Sequence, residues 1–185
     1  RDFAEEQKHL VEEKNAEITD SINYAKRLQN AILTPVKTIQ ETFNNSFILF
    51  LPKDIVAGDF YWTNLAESNN RSSRSLIAAA DCTGHGVPGA MVSVVCSNAL
   101  DRSVKEFGLI EPARILDKVT DLVIETFEKS EDEVKDGMDI AICSYESKED
   151  YIEVQYAGAN NPLWVVRKVS QMDVNGEIIA PMLSN

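Results

Sequence analysis

Basic charge is scarce in this sequence. Eighteen Lys and Arg stand against thirty Asp and Glu, a formal net charge of −12. That balance argues against nucleic acid as a partner, because a phosphate backbone demands a basic face. It suits attraction of divalent cations, and it equally suits a solvated acidic surface. Histidine is limited to His9 and His85, too few for a histidine-rich metal centre. Cys82, Cys96 and Cys143 are widely spaced, with no Cys-x-x-Cys pair and no zinc spacing. They read as reduced thiols of a cytoplasmic protein. No apolar run approaches the roughly 20 residues that a membrane helix needs. The chain opens at Arg1 without a methionine or signal pattern, so it is expected to be a piece of something longer. A membrane tether, if one exists, would lie in a missing N-terminal region.

Proline and glycine are also absent from residues 3 to 33, which are rich in Glu, Lys, Gln, Asn and Ala. Val11, Ile18, Ala25 and Ile32 recur every seven residues. Phe3, Leu10, Tyr24 and Ala31 follow one position earlier, interrupted by Glu17. A seven-residue apolar repeat on a charged helix predicts a coiled coil. The alternative is a helix packed on its own domain. Thr34-Pro35 ends it. Residues 1–34 are therefore expected to be a helical linker that dimerises and regulates. The 185 residues, 44% of them hydrophobic, leave room for one ordinary core besides this element.

Chemistry concentrates in two loops. Leu76-Ile77-Ala78-Ala79-Ala80 reads as a buried strand. Asp81 stands at its end, followed by Cys82-Thr83-Gly84-His85-Gly86-Val87-Pro88-Gly89 and a helical pattern from Ala90. Glycines permit positive φ and close backbone approach, the helix N-terminus offers free N–H groups, and a carboxylate beside exposed carbonyls suits a hard divalent cation. An isolated Asp in such a turn would more simply be a capping residue. Here a second loop carries similar chemistry: the apolar strand candidate Phe47–Leu51 leads into Pro52-Lys53-Asp54-Ile55-Val56-Ala57-Gly58-Asp59, and Phe60-Tyr61-Trp62 resumes a strand. Asp59 and Asp81 can converge on one ion. The glycine loop lacks the Gly-Lys-Ser/Thr of a phosphate-binding P-loop.

The remaining chain predicts a connector over Val36 to Asn45, strands near 47–51 and 59–64, a polar turn from Glu67 to Arg74, and a helix from Ala90 to about Phe107 stopped by Gly108. A second helix begins at Pro112 with Ile115, Leu116, Val119, Leu122, Val123 and Phe127 on its apolar face. After an acidic loop, Asp139–Tyr145 and Tyr151–Ala157 read as a hairpin. Pro162 to Arg167 is another strand candidate, and a turn around Asn175-Gly176 could join it to a last short one. Strands on either side of paired helices make an α+β class.

Taken together, Pro52-Lys53-Asp54-Ile55-Val56-Ala57-Gly58-Asp59-Phe60-Tyr61-Trp62 and Asp81-Cys82-Thr83-Gly84-His85-Gly86-Val87-Pro88-Gly89-Ala90 resemble a bacterial metal-dependent Ser/Thr phosphatase of the SpoIIE/RsbU type, a branch of the PP2C-like superfamily. The similarity continues through Tyr156-Ala157-Gly158-Ala159-Asn160-Asn161-Pro162-Leu163 and covers roughly residues 44 to 168. The resemblance implies two packed β-sheets flanked by helices, with the phosphatase domain occupying 44–185. It also implies Mn²⁺ or Mg²⁺ ions that activate a water against phosphoserine or phosphothreonine. By motif, Asp81 would bridge the ions, the backbone carbonyl of Cys82 would bind one of them, and Asp59 would bind a metal or a metal-bound water. Lys53 and His85 are candidate phosphate contacts, each with a structural alternative: a solvated lysine and a packed histidine. Asp136 and Asp139 invite assignment as ligands, but the resemblance gives Asp139 no such role.

Relatives carry a further Asp-Gly metal motif downstream, and after Asn161 this sequence has only Asp173, followed by Val174. The C-terminal part of the fold is thus expected to be missing, which would leave the second metal site incomplete. The implied function is hydrolysis of phosphoserine or phosphothreonine on a regulatory protein, such as an anti-sigma antagonist. An upstream sensor would act through a homodimeric N-terminal helix. The alternatives are an inactive phosphoprotein-binding module and a signalling dimerisation relay.

Overall fold

The computed structural model describes residues 2–43, 45–67, 73–128 and 136–166. The expected turn near 175 and the last strand lie outside them. Helix α1 spans Asp2–Ile32 without a break, as a stretch free of proline and glycine should. Helix α2, Val36–Thr42, follows Pro35 and buries Ile39.

Four strands form one antiparallel sheet in the order β1-β2-β3-β4: β1 is Phe60–Glu67, β2 Ser73–Cys82, β3 Met138–Ser147 and β4 Ile152–Ala159. Alternation sorts their side chains. Phe60, Trp62, Leu76, Ala78, Ala80, Cys82, Ile140 and Ile142 all turn to one face and join the core. Helices α3, Gly86–Lys105, and α4, Pro112–Phe127, close that face. Leu76, Leu100, Ile115, Ile140 and Ile142 are fully enclosed, each burial contributing about 1.5–3 kcal/mol. Trp62 keeps its polar end satisfied by donating from Nε1 to Asp101 Oδ1 at 2.9 Å. Gly108, at φ +65°, turns the chain out of α3, and the N–H groups of Gly108 and Leu109 reach back to the carbonyls of Val104 and Ser103.

Several boundaries differ from expectation. Helix α3 begins at Gly86 rather than Ala90, because Pro88 falls in the first turn, where no intrahelical N–H donor is required. Strand β2 starts at Ser73, so Arg74 belongs to the sheet rather than to a turn. Residues 47–51 form no strand among the described residues, with Phe47, Leu49 and Leu51 exposed. They have the alternation of a strand and no ladder partner among the described residues. Phe50 instead meets Tyr61 edge-on at 5.7 Å, on the sheet face away from the helices. Residues 162–166 are likewise unpaired, and Trp164 and Val166 are exposed. Among the described residues the architecture is therefore one sheet with α3 and α4 on one face, α2 and residues 47–51 against the other, and a long helix before it.

The first helix meets both of its sequence readings in different halves. Leu10, Val11 and Ile18 are exposed, whereas Ile22, Ala25 and Ile32 are half-buried and Gln29 is buried. The second half touches α3.

Candidate metal centre

The register of the sheet sets the site. Phe60 pairs with Ala80, so one step further along the antiparallel ladder Asp59 stands opposite Asp81. Ala80 and Cys82 face the core, and alternation therefore sends Asp81 to the opposite, open face. The two carboxyl groups are within hydrogen-bonding reach, and Asp59 is pushed above the usual carboxylate range, first by burial and then by its hydrogen bond with Asp81 and the charge of that neighbour. Both line an open groove of about 550 Å³ on the face away from α3 and α4, together with Ile39 of α2, Phe50, Tyr61, Ile77 and Ala79.

Glycine contacts hold the two loops together. A Cβ on Gly58 would sit 2.7 Å from the carbonyl oxygen of Gly84 and 3.1 Å from that of Cys82. A Cβ on Gly89 would meet the Gly84 oxygen at 2.5 Å and the Gly58 Cα at 3.2 Å. The carbonyls of residues 82 and 84 are thus packed against the backbone that delivers Asp59. Gly84 and Gly86 have φ of +88° and +61°, the left-handed region that side chains resist. Thr83 anchors the loop from the other side: its N–H donates to the carbonyl of Gly137 at 2.9 Å.

The Cys82 side chain is buried, and its thiol is pushed up, by a hydrogen bond with Cys96 first, then by burial and by the charges of Asp81 and Asp59. It stays protonated at neutral pH and is no nucleophile. His85 Nδ1 lies 3.0 Å from Asp54 Oδ2, linking the glycine loop to the loop before β1. Lys53 is exposed on that same loop, with no ion pair among the described residues.

Sequence reasoning missed Gln29. Its Oε1 accepts from the N–H of Ala57 at 3.0 Å, while its Nε2 donates to the carbonyl of Ala57 at 2.5 Å and to Ser93 Oγ at 3.0 Å. One side chain from α1 thereby fixes the backbone two residues before Asp59. The available signal was a glutamine falling between Ala25 and Ile32 on an apolar stripe.

A family model for Stage II sporulation protein E (SpoIIE) matches residues 71–179, more than half of the chain. The chain belongs to the SpoIIE family. Among solved structures, the SiaA-PP2C domain of Pseudomonas aeruginosa is similar, with a TM-score of 0.60 and 26% identity over 79% of this chain and 67% of that one. No curated protein matches. The SpoIIE assignment and this likeness make the chain a PP2C-like phosphatase domain by family.

PP2C-like phosphatases depend on Mn²⁺ or Mg²⁺, and the donors present fit such an ion: two adjacent carboxylates and backbone carbonyls, all hard oxygen. Among the described residues no three His, Cys, Asp or Glu side chains are grouped closely enough to hold a metal, so the set is a partial one. No helix among them is long and apolar enough to cross a membrane.

Proposed function

We propose that this chain hydrolyses phosphoserine or phosphothreonine on a regulatory protein, with Mn²⁺ or Mg²⁺ held by Asp81, Asp59 and the carbonyl of Cys82. The observation that carries the reading is the convergence of Asp59 and Asp81 at one end of the sheet, where two neighbouring carboxylates repel one another and a cation would offset their charge. When bound, such a cation supplies Lewis acidity, lowering the pKa of water and offsetting charge on the transferring phosphoryl group. The chain's own residues supply position. The Gly58–Gly84–Gly89 contact fixes the two loops, and Thr83 pins the glycine loop to Gly137. His85, held by Asp54, and Lys53 lie on the two loops that carry Asp81 and Asp59, and both are proposed to contact the substrate phosphate.

Control is proposed to come through α1. Gln29 ties that helix to Ala57 and to Ser93 of α3, so a sensor joined upstream could shift the helix and move the Asp59 loop. Exposed Leu10, Val11 and Ile18 support a parallel homodimer through the first half of the helix. The acidic chain and its reduced cysteines support a cytoplasmic setting.

The test is Mn²⁺-dependent phosphate release from phosphoserine and phosphothreonine peptides by the full-length protein. Asp81→Asn is expected to abolish turnover with the fold intact, and Asp59→Asn to weaken it less. Unchanged turnover in the Asp81 variant would remove the central assignment. The partial donor set favours one second reading, a phosphoprotein-binding module. That reading predicts phosphopeptide binding without release.

A further inference from the structure

The metal-centre residues belong to a longer row. Asp81 pairs with Asp139 across β2 and β3, and just past the β3–β4 ladder, which ends at Ala141 and Gly158, Asn160 forms an isolated bridge with Ile140 that leaves it beside Asp139. Asp59, Asp81, Asp139 and Asn160 thus lie side by side across the end of the sheet. Ile140 faces the core, so Asp139 projects to the same open face as Asp81. Asn160 Nδ2 donates to Asp139 Oδ1 at 2.8 Å, and no described residue donates to Oδ2.

The turn after β4 is built to deliver that amide. Asn160 sits at φ +59°, a conformation asparagine tolerates better than most residues. Tyr156 hydroxyl donates to the carbonyl of Asn161, and the Asn161 N–H donates to the carbonyl of Ala159 at 2.8 Å. Gly158 leaves room for this arrangement, since a Cβ there would overlap the Tyr156 hydroxyl and lie 2.7 Å from the Asn161 oxygen. An amide orients a carboxylate without neutralising it, whereas a lysine or arginine in its place would compete with a cation.

The geometry points to Asp139 as a positioning carboxylate of the metal centre, oriented by Asn160 and acting on the cation through an intervening water. Direct ligation is disfavoured because the three carboxylates do not close into one ligand group. Mg²⁺ and similar hard ions keep several waters, and carboxylates that accept hydrogen bonds from those waters tune affinity from the second layer. The inference rests on the proposed Asp59–Asp81 site and adds a residue that the family resemblance leaves without a role.

The test is Mn²⁺ titration calorimetry on the wild-type protein and on Asp81→Asn, Asp139→Asn and Asn160→Ala, with circular dichroism and metal-free Tm recorded for each. Asp139→Asn keeps an acceptor for Asn160 while losing the charge. It is expected to weaken Mn²⁺ binding about ten- to hundredfold, with metal-free Tm unchanged or raised. Asn160→Ala should weaken binding less, and it serves alone if the Asp139 variant fails to fold. Affinity within threefold of wild type in both variants, with Asp81→Asn abolishing binding, would overturn the role of Asp139 and leave the site itself standing. A lowered metal-free Tm with unchanged affinity would make the pair a structural pin only. Wild-type protein that binds no Mn²⁺ would overturn the site and this inference together.

Discussion

Gln29 satisfies both backbone polar groups of Ala57, accepting from its N–H and donating to its carbonyl. Ala57 is buried, so neither group has water as a substitute. Gln29→Leu keeps the apolar contact and removes both bonds. Leaving buried groups unpaired costs about 1–3 kcal/mol, which denaturant titration will read. Hydrogen exchange at the Ala57 amide is expected to accelerate beyond that of the core strands.

The glycine contact makes a second expectation. Gly58→Ala or Gly89→Ala places a methyl group against the Gly84 carbonyl at an impossible distance. The backbone must move, at about 1–3 kcal/mol by comparison with overpacked cores. Gly84→Val and Gly86→Val add positive-φ strain, about 1–3 kcal/mol each. All four should reduce Mn²⁺ affinity more than Leu100→Ala, a core change remote from the loops whose cost is about 2–5 kcal/mol. Equal affinity across the set would make the loops ordinary connections.

Asp59 sets a pH dependence. Its carboxyl titrates above its usual value of 3.8 in the fold, so between that value and the raised one the folded state holds more protons than the unfolded state. Metal-free stability should therefore fall as pH rises through this window. Asp59→Asn should flatten the fall, and Mn²⁺ should reverse it. Thermal melts from pH 3 to pH 8, roughly the span over which carboxylates titrate, would show a rise instead if the Asp81 contact were favourable to the charged pair.

Dimerisation is expected to depend on the first half of α1. Val11 and Ile18 are 56% and 57% exposed, whereas Ile32 is half-buried against the domain. Val11→Asp with Ile18→Asp should give monomers in sedimentation without loss of stability. A wild-type monomer at high concentration would remove the proposed dimer.

The loops were legible in the sequence because their chemistry is local: a carboxylate at a strand end followed by glycines announces itself within ten residues. The two helices of the core were legible from the spacing of residues such as Ile115, Val119 and Leu122. Residues 47–51 were not, because alternation reports an extended chain and cannot report whether a neighbour completes the ladder. Asp139 is noticeable in the sequence but has no role there, and Asn160 does not stand out, for a related reason. Their meaning lies in register, a relation among β2, β3 and β4 that no single stretch contains. Gln29 lies 28 residues from its partner, and polarity on an apolar stripe does not say which backbone it serves.

The meeting of Gly58 with Gly84 and Gly89 also bears on how such a sequence can drift. Three backbones touch where a side chain would have to go, so no single replacement at residue 58 or residue 89 is neutral, and one cannot prepare the way for the other. Stretches more than twenty residues apart are thereby locked into a shared history. Variation in homologous chains should accumulate at Val87 or Met91, which are exposed, and stop at these glycines.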